Sequence, residues 1–217
     1  MIPTPTLFLG LLGLVVLIFA VWRISSRSHE LPCPSWLGWM VELDNPFTKA
    51  NRAATIIGYL QLAPAMKVLD AGCGPGRLTL PAAEAVGPQG EVLALDIQEG
   101  MLARVREKAQ AAGLQNVAYL QAGLGESRLP PEYYDRAVLV TVLGEIPDQI
   151  AALKEIYDAL KPGGVLSVTE VIFDPHFQSR ASVLRAADQA GFREKDFFGR
   201  KLAYSLHLQK PADDIHP

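Results

Sequence analysis

The stretch Asp70-Ala71-Gly72-Cys73-Gly74-Pro75-Gly76 constrains the fold more than any other part of the chain. It follows a short apolar run, Met66 to Asp70, and precedes a helix-like pattern from Arg77 to Val86. Glycines at alternate positions let a strand turn sharply into a helix and let a ligand approach the backbone closely. The spacing is G-x-G-x-G, whereas G-x-G-x-x-G is the spacing that aims a helix N-terminus at a pyrophosphate. A ligand without phosphate fits this turn better, and an ammonium and a carboxylate on it would suit backbone N–H groups beside an acid.

An acid recurs twenty residues past Gly76, where Asp96 ends a second strand-like run, Glu91 to Asp96. At a strand tip such a carboxylate can accept both ribose hydroxyls of a nucleoside. Further strand and helix patterns follow in alternation, the signature of a parallel α/β sheet. Gln98 to Ala112 predicts a helix, with Met101, Leu102, Val105, Ala109 and Ala112 on one face and Gly113 as its stop. Val117 to Gln121 predicts a third strand, and Asp135 to Val142, nearly continuous in β-formers, a buried fourth. Pro147 suits a first helical turn, and Ile150, Leu153, Ile156, Tyr157 and Leu160 recur at helical spacing. Lys161-Pro162-Gly163-Gly164 should end that helix before a fifth strand, Val165 to Ile172. Ser179 to Ala190 predicts a helix, then Phe192 to Phe198 and Leu202 to Leu208 a closing antiparallel hairpin. Upstream, Phe47 to Leu60 predicts a helix before the first strand.

The N-terminus is of another kind. Leu7 to Trp22, LFLGLLGLVVLIFAVW, carries no charge, and with Ile2 to Ile24 it approaches the roughly 20 residues that cross a bilayer. No basic region precedes it and no small-x-small site follows, as a cleaved signal peptide would require. It therefore predicts an uncleaved transmembrane anchor over 1–24. Arg23 and Arg27 follow the run, which places that flank and the domain behind it on the cytoplasmic side. Residues 25–46 form a polar linker, then a segment with Trp36, Trp39 and Met40 that is either a substrate lid or interfacial packing. The folded domain is expected over 47–210, with a tail at 211–217.

The formal net charge is −3, and without Arg23 and Arg27 the rest carries −5. With no basic run, a nucleic acid is disfavoured as partner. The histidines, His29, His176, His207 and His216, are scattered, so no metal site is expected, and Cys33 and Cys73 make no disulfide framework.

VLDAGCGPGR, LALDIQ and LKPGGVLSVTE resemble the motifs of class I S-adenosylmethionine (SAM)-dependent methyltransferases, in particular the small-molecule branch with its quinone-biosynthesis and lipid members. The resemblance runs from about Phe47 to Gln209. It implies a Rossmann-like, doubly wound seven-stranded sheet, mostly parallel with an antiparallel last strand. It also implies SAM as cofactor, with Asp70, Gly72, Cys73, Gly74 and Gly76 around the methionine portion and Asp96 on the ribose. Ile97 and Met101 would pack on the adenine beside Gly123. Where many relatives have Gly-Asp-Ala after the third strand, this chain has Ala122-Gly123-Leu124, which shifts adenine recognition to backbone groups or Glu126.

Methyl transfer from a sulfonium needs in-line placement and exclusion of water, and a base only if the acceptor must lose a proton. The tips of the fourth and fifth strands offer Glu145, Glu170, Asp174 and His176. Glu145 reads as a base or cation-binding group, or as a loop or helix-capping residue. His176 reads as a base or as an exposed loop histidine, and Tyr204 as core. The acceptor class that fits an anchored enzyme is a lipophilic small molecule or lipid. A protein methyltransferase acting on membrane partners and a non-catalytic SAM-binding module are the other readings.

Overall fold

The structure, a computed structural model, describes Gly10, Gly13 and residues 51–212. The anchor at 1–24 (apart from Gly10 and Gly13), the segment at 25–46 and residues 213–217 of the tail lie outside the described residues. Among the described residues no helix is long and apolar enough to cross a membrane.

Strand β1, Lys67–Ala71, is buried from Val68 onward and runs into the glycine turn. It is preceded by α1, Ala53–Leu60, which buries Ile56 and Leu60. Beyond the turn come α2 (Thr79–Val86), β2 (Glu91–Asp96), α3 (Glu99–Ala111) and β3 (Val117–Gln121). The chain then returns through β4 (Tyr134–Val140), a 3-10 turn at Leu143–Glu145, α4 (Gln149–Ala159) and β5 (Leu160–Val171). It closes with α5 (Arg180–Ala190), β6 (Arg193–Arg200) and β7 (Ala203–Gln209).

The seven strands lie in the order β3-β2-β1-β4-β5-β7-β6. Pairing is parallel from β3 to β5, and β7 runs antiparallel to both β5 and β6. The strand order reverses between β1 and β4, and in open α/β sheets a crevice forms beyond the strand ends at such a switch point. The expected doubly wound sheet with its reversed last strand is therefore present.

Alternate residues of each strand feed opposite layers. On one face Val68 and Val92 meet Ala82, Ala83 and Val86 of α2, Ala94 meets Leu102 and Val105 of α3, and Val138 meets Ile56 and Leu60 of α1. On the other, Leu69, Leu139, Leu166, Val168 and Leu206 pack with Leu153 and Ile156 of α4 and Val183 and Ala187 of α5. Each buried Val, Leu or Ile among them contributes roughly 1.5–3 kcal/mol by leaving water, which is what holds the strand tips in fixed relation.

Four local expectations change. Helix α2 starts at Thr79, not Arg77, and the Arg77 guanidinium instead donates to the Asn51 carbonyl and side-chain oxygens at 2.5 and 3.0 Å. Pro147 lies outside the first turn of α4, because Asp148 is the N-cap and accepts from Ala151 N–H at 2.9 Å. Lys161 to Gly164 sit inside β5 as an irregularity: Leu160 already pairs with Tyr134, and Gly163 and Gly164 exchange backbone hydrogen bonds with Lys210. Leu202 lies in the β6–β7 turn and is exposed.

Candidate functional site

The glycine turn is closed by the acid from the neighbouring strand. Gly74 N–H donates to Asp96 Oδ2 at 2.9 Å, and Gln98 N–H donates to Asp96 Oδ1 at 2.8 Å. Each carboxylate oxygen keeps a second lone pair for a ligand hydroxyl. Gly72 and Cys73 N–H both donate to the Leu95 carbonyl, so the turn is stitched to the end of β2 along its length. The two sequence motifs are thus one structural unit.

Glycine is required at Gly72, where φ is +70° and an added Cβ would lie 2.6 Å from a Val142 methyl at the tip of β4. At Gly74 the reverse holds. There φ is +50° and a Cβ would meet nothing within 4 Å, so the turn opens onto free space above Asp96. Gly76 packs against Leu80 and Val105, which seats the turn on α2 and α3. Cys73 is buried with Ala94, Leu102 and Val105, and burial pushes its thiol up.

Asp70 is buried at the end of β1 and accepts from the Thr79 hydroxyl at 2.6 Å. Burial raises its carboxyl to about 6, the Thr79 hydrogen bond opposing and nearby Asp96 adding to the rise. Burial also raises Asp96, against the pull of the Gln98 and Gly74 N–H groups. Glu145 is pushed up to about 8, by burial first and then by Asp174 and Asp96. Glu170, buried in β5, is likewise raised to about 8 by burial, with Asp174 and Glu145 adding. Its Oε2 accepts from Gln178 N–H at 3.0 Å, and its Oε1 has no partner.

The carboxylates at the strand tips therefore feel one another around a turn that offers backbone donors. A ligand bearing an ammonium and a second, sulfonium cation relieves that repulsion, and its carboxylate finds the turn. The residues present fit SAM on this ground, and Asp96 is placed for a ribose. Of the expected adenine neighbours, Ile97 is exposed and free to cover a ring, whereas Met101 is buried and backs the site from the core. A Cβ on Gly123 would lie 2.7 Å from Glu126 Oε1, so the Glu126 carboxylate stands beside Ala122-Gly123.

The β4 and β5 tips behave differently from a free loop pair. His176 is 5 % exposed, not an exposed loop histidine, and its backbone N–H donates to Asp174 Oδ1 at 2.7 Å. Its carbonyl presses on Gly144 so closely that a Cβ there would sit 1.9 Å away. Glu145 does not cap α4, since Asp148 does. Tyr204 is core as expected, stacked on Phe197, and its hydroxyl donates to the Gln178 carbonyl at 2.8 Å. An open hollow of about 560 Å³ adjoins this junction, lined by Gly144, His176, Gln178, Ser182 and Arg185 among others. Among the described residues no group of His, Cys, Asp or Glu is arranged to hold a metal ion.

Sequence reasoning missed Thr79, Val142, Gly144 and Gln178. Thr79 had a signal, a hydroxyl on the first turn of the helix after the motif. Val142, Gly144 and Gln178 matter through contacts between separate loops, which carry no local pattern.

The fold is similar to that of solved SAM-dependent methyltransferases, and the residues at the strand tips fit SAM as the cofactor. Residues 68–164 match the family described as "Methyltransferase domain". The chain is 37 % identical over 116 residues to the ubiquinone/menaquinone biosynthesis C-methyltransferase UbiE of Vibrio vulnificus (strain YJ016), covering 52 % of this chain and 45 % of that protein. It is 37 % identical over 99 residues to the demethylmenaquinone methyltransferase of Geobacillus stearothermophilus, covering 46 % of this chain and 42 % of that one. The matched segment thus spans less than half the length of these relatives. In fold, the chain is similar to a SAM-dependent methyltransferase from Aquifex aeolicus, with TM-score 0.73, 21 % identity, and coverage of 82 % of this chain and 99 % of the other. It is also similar to the [4+2]-cyclase SpnF, with TM-score 0.66, 19 % identity, and coverage of 75 % and 82 %.

Proposed function

We propose that this protein methylates a lipophilic small molecule of the quinone-precursor kind, drawn from a membrane to which residues 1–24 tether it with the domain on the cytoplasmic side. The observation that carries the cofactor half is the Gly74–Asp96 junction with Asp70 beside it. The acceptor half is supported by relatives named for ubiquinone and menaquinone biosynthesis and by the uncharged run from Leu7 to Trp22.

SAM supplies an activated methyl group on its sulfonium, so no protein nucleophile is needed. The protein's part is placement, exclusion of water and one proton. The turn from Gly72 to Gly76 and Asp96 hold the donor, and the 3-10 turn and the β5 loop, joined through Gly144 and His176, bound the side from which an acceptor must come. An aromatic carbon becomes nucleophilic when its ring hydroxyl loses a proton. Glu145, raised to about 8, is the base we assign to that step, because a carboxylate of such basicity takes a phenolic proton far more readily than an ordinary one. His176 is the second candidate for the same proton.

A second reading is a SAM-binding module without methyl transfer, since one fold hosts unrelated chemistries. Transfer of label separates the two. The full chain, incubated with methyl-labelled SAM and vesicles holding a demethylated, prenylated naphthoquinol, should place label in the lipid-soluble fraction. Label on membrane proteins instead would indicate a protein methyltransferase, and SAM binding without transfer would leave a binding module or other chemistry.

A further inference from the structure

Five large apolar side chains are left exposed among the described residues: Ile97, Ile150, Phe173, Phe197 and Leu202. Four of them share one edge of the sheet. Ile97 follows the end of β2, Phe173 follows the end of β5, and Ile150 opens α4 just past the β4 tip. Leu202 precedes β7, and because β7 runs against β5 its start lies at the same carboxyl edge. This is the edge on which the glycine turn, Asp96 and Glu145 open. Phe197 is the exception, lying within β6 and stacked on Tyr204.

Phe173 and Leu202 are the most exposed, at 55 % and 57 %, and they are neighbours, since Ile172 N–H donates to the Leu202 carbonyl at 2.7 Å. Arg200, the last residue of β6, and Lys201, in the β6–β7 turn, are both exposed and adjoin Leu202. The opposite half of the edge carries acids, Glu99 beside Ile97 and Asp148 beside Ile150. The β5–β7 corner thus sets Phe173 and Leu202 beside the exposed Arg200 and Lys201, with the half-buried Asp174 next to Phe173. Apolar tips flanked by basic side chains are the composition that enters an anionic lipid interface. The length of chain outside the described domain agrees, because the uncharged run ends at Trp22 and 28 residues separate it from residue 51.

We propose that the β5–β7 corner of the carboxyl edge, led by Phe173 and Leu202 with Arg200 and Lys201, rests in the surface of an anionic bilayer. This rests on the reading of the protein as an enzyme of membrane-held acceptors, and it adds the face by which the site meets the lipid. An acceptor would then pass from the bilayer to the strand tips without crossing water. Tethering by the N-terminal run alone would leave the orientation of the domain free, and this corner sets it.

The experiment uses the full chain with Cys33→Ser, in which Cys73 is buried, reconstituted in phosphatidylcholine vesicles with and without phosphatidylglycerol. An environment-sensitive fluorophore is attached in turn to Phe173→Cys, Leu202→Cys and, as control, Glu132→Cys before β4 at the opposite edge. Lipids with doxyl groups on their acyl chains should quench the first two labels several-fold more than the third, and more strongly when phosphatidylglycerol is present. Equal quenching at all three positions overturns the proposal. So does a blue shift at 173 and 202 that needs no lipid and grows with protein concentration, which would mean a second copy covers the corner. Titration with SAM on the same labelled proteins keeps the two readings apart. Intact SAM binding with unquenched labels removes only the bilayer contact, and absent SAM binding removes the reading beneath it. A Phe173→Glu/Leu202→Glu protein should bind SAM unchanged and lose label transfer to vesicle-held acceptor; unchanged transfer would contradict the proposal.

Discussion

Gly74 and Asp96, from motifs 22 residues apart, are joined by a hydrogen bond of 2.9 Å from backbone N–H to carboxylate. A second N–H, from Gln98, holds the other oxygen at 2.8 Å. The acid is thus oriented before any ligand arrives, which lowers the ordering cost of binding.

Asp96→Asn keeps one acceptor oxygen and can satisfy only one of the Gly74 and Gln98 N–H donors, whereas Asp96→Ala satisfies neither. Each charge-assisted hydrogen bond contributes about 1.5–3 kcal/mol, so loss of the ribose contact predicts SAM binding weaker by roughly 10- to 100-fold in either variant. Asp96→Asn, which orphans one backbone donor, should lower the melting temperature, and Asp96→Ala, which orphans two, should also do so. Calorimetry and thermal unfolding on the same samples separate the effects.

Gly72→Ala places a methyl 2.6 Å from the Val142 side chain at a positive φ. It should destabilise by about 1–3 kcal/mol. Val142→Ala in the same chain should recover the steric part and leave the backbone part. A double-mutant cycle in denaturant measures the recovery.

Glu145 is raised to about 8, chiefly by burial. A base must be ionised to act, so turnover should climb as pH rises through about 8 and level off above it. Glu145→Gln should be slower and lose that limb, and His176→Gln should retain it. A pH–rate profile that keeps the limb in Glu145→Gln would assign the proton elsewhere.

Glu170 carries the opposite consequence for stability. Its folded pKa, about 8, lies above the ordinary 4.5, so the native state holds a proton that the unfolded chain releases. Stability is greatest below about pH 4.5 as far as this group is concerned, and falls as pH rises towards 8, by up to a few kcal/mol. Glu170→Gln, neutral throughout, should flatten the dependence and be more stable than the parent above pH 8. Urea titrations at pH 6 and 9 check the sign.

The layers of this fold were legible because strands buried on both faces and helices with one apolar stripe write different periods. β2, β3 and α3 fall within a residue or so of where alternation places them. The misplaced parts depend on distant partners. The Lys161–Gly164 stretch joins β5 because Leu160 just before it pairs with Tyr134 and Lys210 bonds to Gly163 and Gly164, and a run ending in Pro-Gly-Gly shows nothing of either. In the site, Asp70 and Asp96 stood out by their order after strands. The burial of His176 did not, because it follows from the β5 loop pressing on Gly144, 32 residues earlier in the chain, where only a glycine leaves room.

The measurement that bears most directly on the account is titration of SAM into the full chain, beside the Asp96→Asn variant, by calorimetry. Saturable binding to the parent at one site per chain, weakened at least tenfold in Asp96→Asn, is the predicted result. No heat of binding to the folded parent, or equal affinity in the variant, would contradict the claim that the joined glycine turn and Asp96 hold the cofactor.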